Sequence, residues 1–392
     1  MLPTQSGGPG SFAQFDLSRV PSPCYVVDEA KIRSNLQILR DIGDRSGARV
    51  LLALKAFSMW STSELIKEYL DGCCASGLWE AKLAREKKFA PQIDSKVLST
   101  FSPAYRSEEL EGICSLSDHV VFNHPDAYGI DQAKKTGVSV GLRINPELSL
   151  GLDPKYDPCA EGSRLGYPIS QLCAEKLSGF DGLHFHTLCE QNFSPLLQTW
   201  KKVEQELGEI LDQCKWINLG GGHHCTRNDY DREGLVSLLS EISQKYQIQV
   251  FIEPGEAVAL DAGILVGKVL DLMQSQNKAH ALLDLSATCH APDVIEAPYR
   301  PALLGEVEGG GYPYILGGSS CLTADHFGMY TMDKPLQRGD RLAFLDQAHY
   351  TMVKTNTFNG VPLPSLALWN SQTDQLSVIK EFDYEEFVNR LS

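Results

Sequence analysis

The sequence predicts an α/β protein that consists of a (β/α)₈ TIM barrel and a C-terminal all-β domain. Between about residues 49 and 256, eight short apolar runs alternate with segments of helical periodicity, a pattern typical of parallel strands buried on both faces. Eight such repeats favour a closed barrel over an open doubly wound sheet. After about residue 265 helical periodicity fades and β-rich runs appear between Gly and Pro turns, which indicates a second domain.

The predicted barrel strands are apolar runs of three to seven residues. In chain order they are residues 49–54, 73–75, 97–100, 119–122, 138–144, 182–186, 215–219 and 250–252. Residues 63–70, 80–88, 196–214 and 232–246 have the apolar spacing of helices that pack on such strands. The predicted barrel therefore spans residues 28–265.

The predicted β domain combines residues 16–27 with residues 266–392. Its strand candidates are residues 281–285, 313–317, 341–345 and 365–369. A strand-like run at 22–27 precedes an amphipathic helix at 29–41, and we expect that run to pair with the C-terminal strands. Residues 1–15 begin with a polar, Gly- and Pro-rich stretch without a basic or apolar signal region, so they are predicted to be a disordered leader.

Composition excludes several classes of protein. The chain has 392 residues, 43% of them hydrophobic, and a net charge of −15, which is ordinary for a globular protein with a large core. The pI near 5.1 argues against a nucleic-acid binder, and no apolar run is long enough to span a membrane. An acidic protein favours cationic ligands. Eleven dispersed cysteines without zinc-ribbon spacing indicate reduced thiols in a cytoplasmic protein.

Chemistry in a barrel of this kind lies at the carboxyl ends of the strands. Residues that could bind a ligand or take part in a reaction end or follow five of the predicted strands. They are Lys55, Arg143, His184, His186, Gly220, Gly221, Gly222, Glu253, Gly255 and Glu256.

Each of these signals is ambiguous by itself. Lys55 could be buried with a lowered pKa and form a Schiff base, or it could leave the barrel mouth for solvent. The three glycines could bind a phosphate or form a flexible turn. Glu253 could hold a protonated ring nitrogen, a base or a metal, and His184 with His186 also fits a metal site. An amine, an imidazole, a glycine loop and a carboxylate together match what pyridoxal 5'-phosphate requires.

The motifs resemble the fold-type-III pyridoxal-phosphate decarboxylases, which include ornithine and diaminopimelate decarboxylases. The resemblance runs from about Cys24 to Val361, and its landmarks occur in the family's order. They are ALKA at Lys55, LRIN at Arg143, SRLG at 163–166, GLHFH, NLGGG, EPG, GSSC at Cys321 and AHYTMVKTNTFNG around Tyr350. The runs LDLSATCHAPDVIEAPYRP, SSCLTADHFG and HTLCE are most similar to the branch that acts on carboxynorspermidine and carboxyspermidine.

The resemblance implies a role for each barrel residue. Lys55 would bind the cofactor aldehyde, His186 would stack on the ring, and Glu253 would pair with the ring nitrogen. Arg143 would lie near the other ring edge. The phosphate would be bound by backbone amides of Gly220, Gly221, Gly222 and Gly255.

The resemblance also implies a homodimer with active sites between the subunits. Cys321 and Asp325 would reach into the site of the partner subunit, whereas Tyr350 would contact the phosphate within its own subunit. Cys321 or Lys55 would return the proton after decarboxylation, and Cys321 is favoured. Lys55, His186 and Cys321 are therefore the predicted catalytic residues.

Three departures from the family pattern bear on cofactor and substrate. Glu256 stands where an Arg usually follows EPG, His186 is followed by TLC in place of a Gly-Ser pair, and Cys73 replaces an acid. The carboxylates of Glu256, Asp293 and Asp325 would suit the cationic tail of a polyamine substrate. The alternative for Glu256 is a solvated side chain that points away.

The reaction implied is decarboxylation of carboxynorspermidine and carboxyspermidine to norspermidine and spermidine, a step of polyamine biosynthesis. One alternative is another basic amino acid, such as diaminopimelate, as the substrate. A second is a zinc-dependent barrel hydrolase that uses His184, His186, His223 and His224. A third is a pyridoxal-phosphate homeostasis protein, which residues 265–392 disfavour because such proteins lack the β domain.

Overall fold

The computed structural model describes residues 8–92, 95–151 and 153–392. The chain forms two compact units. The sheet unit combines the N-terminal segment up to Ile32 with Ala259–Ser392, and the barrel unit is Arg33–Val258. Each unit is described by itself below.

The N-terminal segment is ordered further back than the sequence predicts. Residues Gly10–Gln14 form a 3₁₀ helix, and Phe12 and Phe15 are buried with ring centroids 5.3 and 4.8 Å from that of Trp369. The prediction of a disordered leader over 1–15 is therefore wrong for residues 10–15, while residues 1–7 lie outside the described chain. Burial of two aromatic rings offsets the entropy lost on ordering this segment.

The first strand, β1 (Cys24–Asp28), is followed by helix α1 (Glu29–Ser46). The Asp28 carboxylate accepts the amide N–H of Ala30 at 3.0 Å, so the strand ends in the side chain that caps the helix. The helix runs five residues beyond the predicted end at 41, to Ser46, and Gly47 follows it in the left-handed region.

The barrel unit contains a closed ring of eight parallel strands, as predicted. The ring strands are β2 (Arg49–Ala53), β3 (Gly72–Ala75), β4 (Val97–Phe101), β5 (His119–Phe122), β6 (Ser139–Asn145), β8 (Gly182–His184), β9 (Trp216–Asn218) and β10 (Gln249–Ile252). They pair in the order β5-β4-β3-β2-β10-β9-β8-β6, and pairing of β5 with β6 closes the ring. A two-residue strand, β7 (Tyr167–Pro168), pairs with β6 outside the ring.

Helices connect the barrel strands. They are α2 (Ser63–Tyr69), α3 (Leu78–Glu86), α4 (Ser107–Leu116), α5 (Ile130–Thr136), α6 (Ala174–Leu177), α7 (Phe193–Leu207) and α8 (Arg232–Tyr246), with α9 (Glu256–Ala259) after the last strand. The predicted helix at 196–214 is too long. Asn192 caps α7 by accepting the N–H of Phe193, and Gly208 follows the last helical residue.

The barrel interior begins with an apolar layer. Leu51, Val97, Val121, Trp216 and Phe251 form one buried cluster. Because side chains alternate along a strand, the residue two positions after each of these also points into the barrel. This alternation places a layer of polar side chains directly above the apolar cluster.

The sheet unit is built on an eight-stranded, mainly antiparallel sheet. Its C-terminal strands are β11 (Gly263–Ser275), β12 (Lys278–Leu283), β13 (Tyr312–Gly317), β14 (His326–Met332), β15 (Arg341–Leu345), β16 (Ser365–Asn370) and β17 (Gln375–Lys380), with helices α10 (Ala287–His290), α11 (Asp293–Glu296) and α12 (Tyr384–Val388). The path is β14-β13-β12-β11-β1-β16-β17, and β15 pairs with β11.

Strand β1 lies between β11 and β16, so the expectation that residues 22–27 join the C-terminal strands is confirmed. The predicted boundary after residue 265 falls inside β11, which begins at Gly263. Ile264 and Val266 pack in one buried cluster with Val26, and this packing places the start of β11 in the sheet unit.

Among the described residues, no helix is both long and apolar enough to cross a membrane. All eleven cysteines are free thiols in the structure. Most are buried, whereas Cys173 and Cys321 are exposed.

Candidate active site

A polar layer lies directly above the apolar layer of the barrel. It comprises Arg143 on β6, His184 on β8, Asn218 on β9 and Glu253 just after β10. In the strand register Arg143 is opposite His184, and His184 is opposite Asn218. These strands therefore bring three of the predicted residues together, with Asn218 as an unpredicted fourth.

Glu253 is held as a largely buried carboxylate, with 12% of its side chain exposed. Its Oε1 accepts a hydrogen bond from the Nδ2 of Asn218 at 2.6 Å, and its Oε2 lies 3.4 Å from the Nε2 of His184. Burial by itself would raise its pKa, but His184, Asn218 and the charge of Lys55 together hold the pKa of Glu253 below its usual value. Glu253 is therefore ionised at neutral pH.

The two histidines of the GLHFH motif are neutral. Burial lowers the pKa of His184, and burial together with the charges of Lys55 and Arg143 lowers the pKa of His186 well below its usual value. The Nδ1 of His186 accepts the amide N–H of Gly221 at 2.9 Å, so its proton is assigned to Nε2. The hydrogen bond from Gly221 orients the neutral His186 ring, whose flat face could then stack on the ring of a ligand.

Arg143 is almost fully buried. It donates to the carbonyl oxygen of His186 at 3.0 Å, and its guanidinium carbon lies 4.5 Å from the centroid of the Phe101 ring. Burial lowers its pKa to about 10, which still leaves it charged at neutral pH. Its Nε is buried and has no hydrogen-bond partner among the described residues, so this donor is available to an acceptor placed in the site.

Lys55 follows β2 at the mouth of the barrel. Its side chain is exposed at the mouth of the barrel, and its role as the amine that forms a Schiff base stays a prediction. Its charge nevertheless acts on Glu253, His184 and His186, whose pKa values it lowers. The amine therefore belongs to the same electrostatic site as the polar layer.

The glycine loop after β9 packs against the ends of its neighbouring strands. The amide of Gly220 donates to the Oδ1 of Asn218 at 2.9 Å, and the amide of Gly221 donates to His186. The amides of these two glycines thus already have partners within the barrel, and their contact with a phosphate stays a prediction. Gly222 and Gly255 keep the predicted role as a proposal.

Replacing Gly222 by Ala is expected to lower the free energy of unfolding by at least about 2 kcal/mol. Gly222 has φ +83°, and a Cβ there would lie 1.9 Å from the carbonyl oxygen of Leu188, so the backbone must move. Gly137 is the matched control, because it also has φ +83° but has no atom within 4 Å of a built Cβ. Gly137→Ala should cost only about 1 kcal/mol. Urea denaturation measures both, and equal losses would contradict the close approach.

The two histidines after the glycine loop have separate partners. His224 is buried with its Nε2 3.0 Å from the Oε2 of Glu256, and the Nδ1 of His223 is 3.2 Å from the hydroxyl of Tyr230. The Glu256 side chain is only 13% exposed, so it is not a solvated side chain that points away. Among the described residues, no group of three or more histidine, cysteine or carboxylate side chains is placed to hold a metal ion, and the zinc-hydrolase alternative gains no support from the structure.

The alternation of side chains along β3 shows whether Cys73 or Cys74 faces into the barrel. Cys73 is fully buried and lies on the outward face of β3, whereas Cys74 is paired with the inward-facing Ala53. The charges of Glu253 and Lys55 both act on Cys74, whose pKa is raised mainly by burial. The inward position on this strand is thus Cys74.

In the sheet unit, Cys321 lies on an exposed loop. Its amide donates to the Oδ1 of Asn359 at 2.6 Å, which fixes the loop backbone and leaves the thiol exposed. Asp325 is buried, and its carboxylate accepts the amides of Ser320 and Thr288. Its carboxylate therefore shapes the loop that carries Cys321, and a contact of Asp325 with substrate stays a prediction.

The structure gives Asp293 a cationic partner within the sheet unit. Its carboxylate pairs with Lys354, which also contacts Glu296 at 3.1 Å. A contact of Asp293 with substrate stays a prediction, and it would have to compete with this lysine. Tyr350, in the same segment as Lys354, has an unusual φ of +43°.

Sequence reasoning missed Asn218 and Phe101 as residues of the site. Asn218 could have been found, because it is a polar residue two positions after Trp216 in the predicted strand, in phase with the inward face. Phe101 ends an ordinary apolar strand and gives no such signal. Its role depends on Arg143, which lies on another strand.

Comparisons with known proteins agree with one another. The family described as pyridoxal-dependent decarboxylase, C-terminal sheet domain, matches residues 24–348. The carboxynorspermidine/carboxyspermidine decarboxylase of Campylobacter jejuni is 40% identical, covering 94% of this chain and 98% of that protein. The carboxyaminopropylagmatine decarboxylase of Synechocystis sp. is also 40% identical, covering 96% of each chain. The crystal structure of the Campylobacter jejuni carboxynorspermidine decarboxylase complexed with norspermidine has a TM-score of 0.85 at 39% identity, covering 95% of this chain and 100% of that one.

Proposed function

Because the chain belongs to the pyridoxal-dependent decarboxylases that carry a C-terminal sheet domain, we propose that it decarboxylates carboxynorspermidine and carboxyspermidine with pyridoxal 5'-phosphate. The family resemblance read from the motifs is confirmed by the match over residues 24–348. The observation that carries the proposal is the largely buried Glu253 carboxylate at the end of the barrel strands, which accepts a hydrogen bond from Asn218 at 2.6 Å and lies 3.4 Å from His184.

The residues present fit this cofactor. Lys55 supplies an amine for its aldehyde, Glu253 an anion for its ring nitrogen, and His186 a neutral ring for its face. Arg143 has a buried Nε without a partner among the described residues, which suits an oxygen at the ring edge. The polar layer and the neighbouring Lys55 together contain an amine, an acid and hydrogen-bond donors.

When bound, pyridoxal 5'-phosphate supplies an electron sink for the electrons released as the carboxylate leaves. Glu253 would hold a proton on the ring nitrogen, since its own pKa is held below its usual value. His186 would cover one face of the ring and exclude water there, and its neutral imidazole would add no charge. Lys55 would hold the aldehyde through its Nζ amine and is, beside Cys321, the second candidate for the group that returns a proton to the substrate.

Phosphate binding is assigned to small residues at the barrel mouth. Gly222 and Gly255 are the proposed amide donors, since Gly220 and Gly221 already donate within the barrel. Tyr350 is proposed as a further phosphate contact. Backbone amides and a hydroxyl would replace the Arg and Ser that are usual in the family.

Glu256 is the proposed contact for the cationic tail of the substrate. It directly follows Gly255 at the barrel mouth, its side chain is 13% exposed, and its Oε2 lies 3.0 Å from the Nε2 of His224. A second candidate substrate is carboxyaminopropylagmatine, because a relative named for that activity is 40% identical over nearly the whole chain. Both substrates carry a carboxylated head and a cationic tail, and they differ in whether the tail ends in an amine or a guanidine.

A homodimer and a cytoplasmic location complete the proposal. In the dimer Cys321 would enter the site of the other subunit and donate the proton. The exposed thiol and the fixed loop backbone support this role.

Turnover of four substrates tests the proposed function. Carboxynorspermidine or carboxyspermidine is expected to have a kcat/KM at least about 100-fold above that of diaminopimelate, because diaminopimelate would bring a second carboxylate toward Glu256. Release of carbon dioxide is measured with and without added pyridoxal 5'-phosphate. Carboxyaminopropylagmatine as the best substrate would favour the second candidate. Preference for diaminopimelate, or full activity after the cofactor is removed, would overturn the proposal.

A further inference from the structure

Asn218 connects two parts of the site with one side chain. It is the last residue of β9 and is fully buried. Its Nδ2 donates to the Oε1 of Glu253 at 2.6 Å, and its Oδ1 accepts the amide N–H of Gly220 at 2.9 Å. A backbone hydrogen bond connects the same two residues, because the amide of Glu253 donates to the carbonyl oxygen of Gly220 at 2.8 Å.

We propose that Asn218 is a positioning residue, which fixes the carboxylate of Glu253 and the first glycine of the loop at one spacing. The inference rests on the proposed function, because it takes Glu253 to face the ring nitrogen and the glycine loop to lie toward the phosphate. Asn218 touches neither cofactor nor substrate in this assignment. It acts through the two groups that it binds.

The amide is suited to this position, whereas a carboxylate is not. Only an amide can donate to Glu253 with one atom and accept from Gly220 with the other. An aspartate would keep the acceptor but place a second carboxylate against Glu253, so that the two acids would share a proton. Glu253 would then stay protonated at pH values where it is ionised in the wild-type protein.

Several titratable groups surround Glu253. His184 lies 3.4 Å from its carboxylate, and Lys55, Arg143, His119 and Cys74 interact with it electrostatically. Burial lowers the pKa of both histidines and raises that of Cys74, so these three are neutral. Lys55 and Arg143 are the two cations left to stabilise two carboxylates in the aspartate variant. The new carboxylate would take the place of an amide that lies 2.6 Å from the Oε1 of Glu253, so the two acids would still be in contact.

The test is Asn218→Asp, with two measurements. Fluorescence titration of the apo-protein measures its affinity for pyridoxal 5'-phosphate, which is expected to fall at least tenfold relative to wild type at pH 6 and less at pH 9. In the loaded enzyme, the acid limb of the kcat profile is expected to move up by at least one pH unit. Asn218→Ser, which is too short to reach Glu253, should also bind the cofactor at least tenfold more weakly and provides the measurement if the aspartate variant does not fold.

Asn123→Asp is the matched control. Asn123 also donates through Nδ2 and accepts a glycine amide through Oδ1, but its acceptor partner is the carbonyl oxygen of Arg164, which does not titrate. The acid limb of the kcat profile of the Asn123→Asp enzyme should lie at the same pH as in wild type. If both Asn218 variants fold and keep wild-type cofactor affinity and an unshifted acid limb, the proposal is wrong. If the wild-type protein binds no pyridoxal 5'-phosphate, the proposed function fails first.

Discussion

Lys55→Ala is expected to lower kcat/KM for the preferred substrate by at least about 10³-fold. Lys55 is the amine at the end of β2 whose charge acts on Glu253 and His186. Alanine cannot bind the aldehyde of the cofactor, so the protein should also lose the violet absorbance of covalently bound pyridoxal 5'-phosphate. Steady-state assays and absorbance spectra of dialysed protein measure the two losses.

A change in folding must be separated from this loss of chemistry. Lys55 is exposed, and its replacement should leave thermal unfolding close to wild type. A small primary amine added to the Lys55→Ala protein should restore part of the turnover, because it can bind the aldehyde in place of the side chain. Lys201→Ala, on an exposed position of α7, is the control and should behave as wild type. Purified Lys55→Ala enzyme with normal turnover would refute the proposed role.

Glu253→Gln is expected to lower kcat roughly 100-fold with a smaller change in KM. The amide keeps the shape and can still accept from Asn218, but it removes the negative charge that would hold a proton on the ring nitrogen. Cofactor affinity, measured by fluorescence titration, should fall as well. Glu241→Gln, an exposed change on α8, controls for the loss of one negative charge.

The pH dependence of this variant has a definite sign. His184, Asn218 and Lys55 hold the pKa of Glu253 below its usual value despite burial, so the wild-type carboxylate loses its charge only when the pH falls below that lowered pKa. The ratio of wild-type to variant kcat should therefore be constant between pH 6 and 8. A ratio that rises steadily with pH in this range would mean that Glu253 titrates there, against the contacts described.

Buried strands were the most predictable part of the fold. All eight barrel strands were predicted within two residues at their starts and ends, because strands covered on both faces are written as unbroken apolar runs. Strands β11, β14 and β17 were not predicted. The second half of β11, from residue 270 to 275, and all of β17 are partly or fully exposed, so these stretches mix polar and apolar residues and resemble loops.

Isolated carboxylates were the least predictable part of the site. Glu256, Asp293 and Asp325 were grouped as substrate contacts from their charge and the family pattern. The structure gives them three different partners: a histidine, a lysine and the backbone of a loop. A carboxylate in the sequence shows that a charge exists, but the partner that neutralises or orients it comes from distant parts of the chain.

The sequence alone determined the barrel and the residues at the ends of its strands, because apolar periodicity and the last residue of a strand are local properties. The tertiary structure decided which of those residues touch. Asn218 meets Glu253 because β9 and β10 are neighbours in a particular register, and register depends on contacts between strands that are far apart in the chain. For the same reason Lys55 could be predicted as the amine, whereas the contact of Asn218 with Glu253 emerged only from the folded barrel.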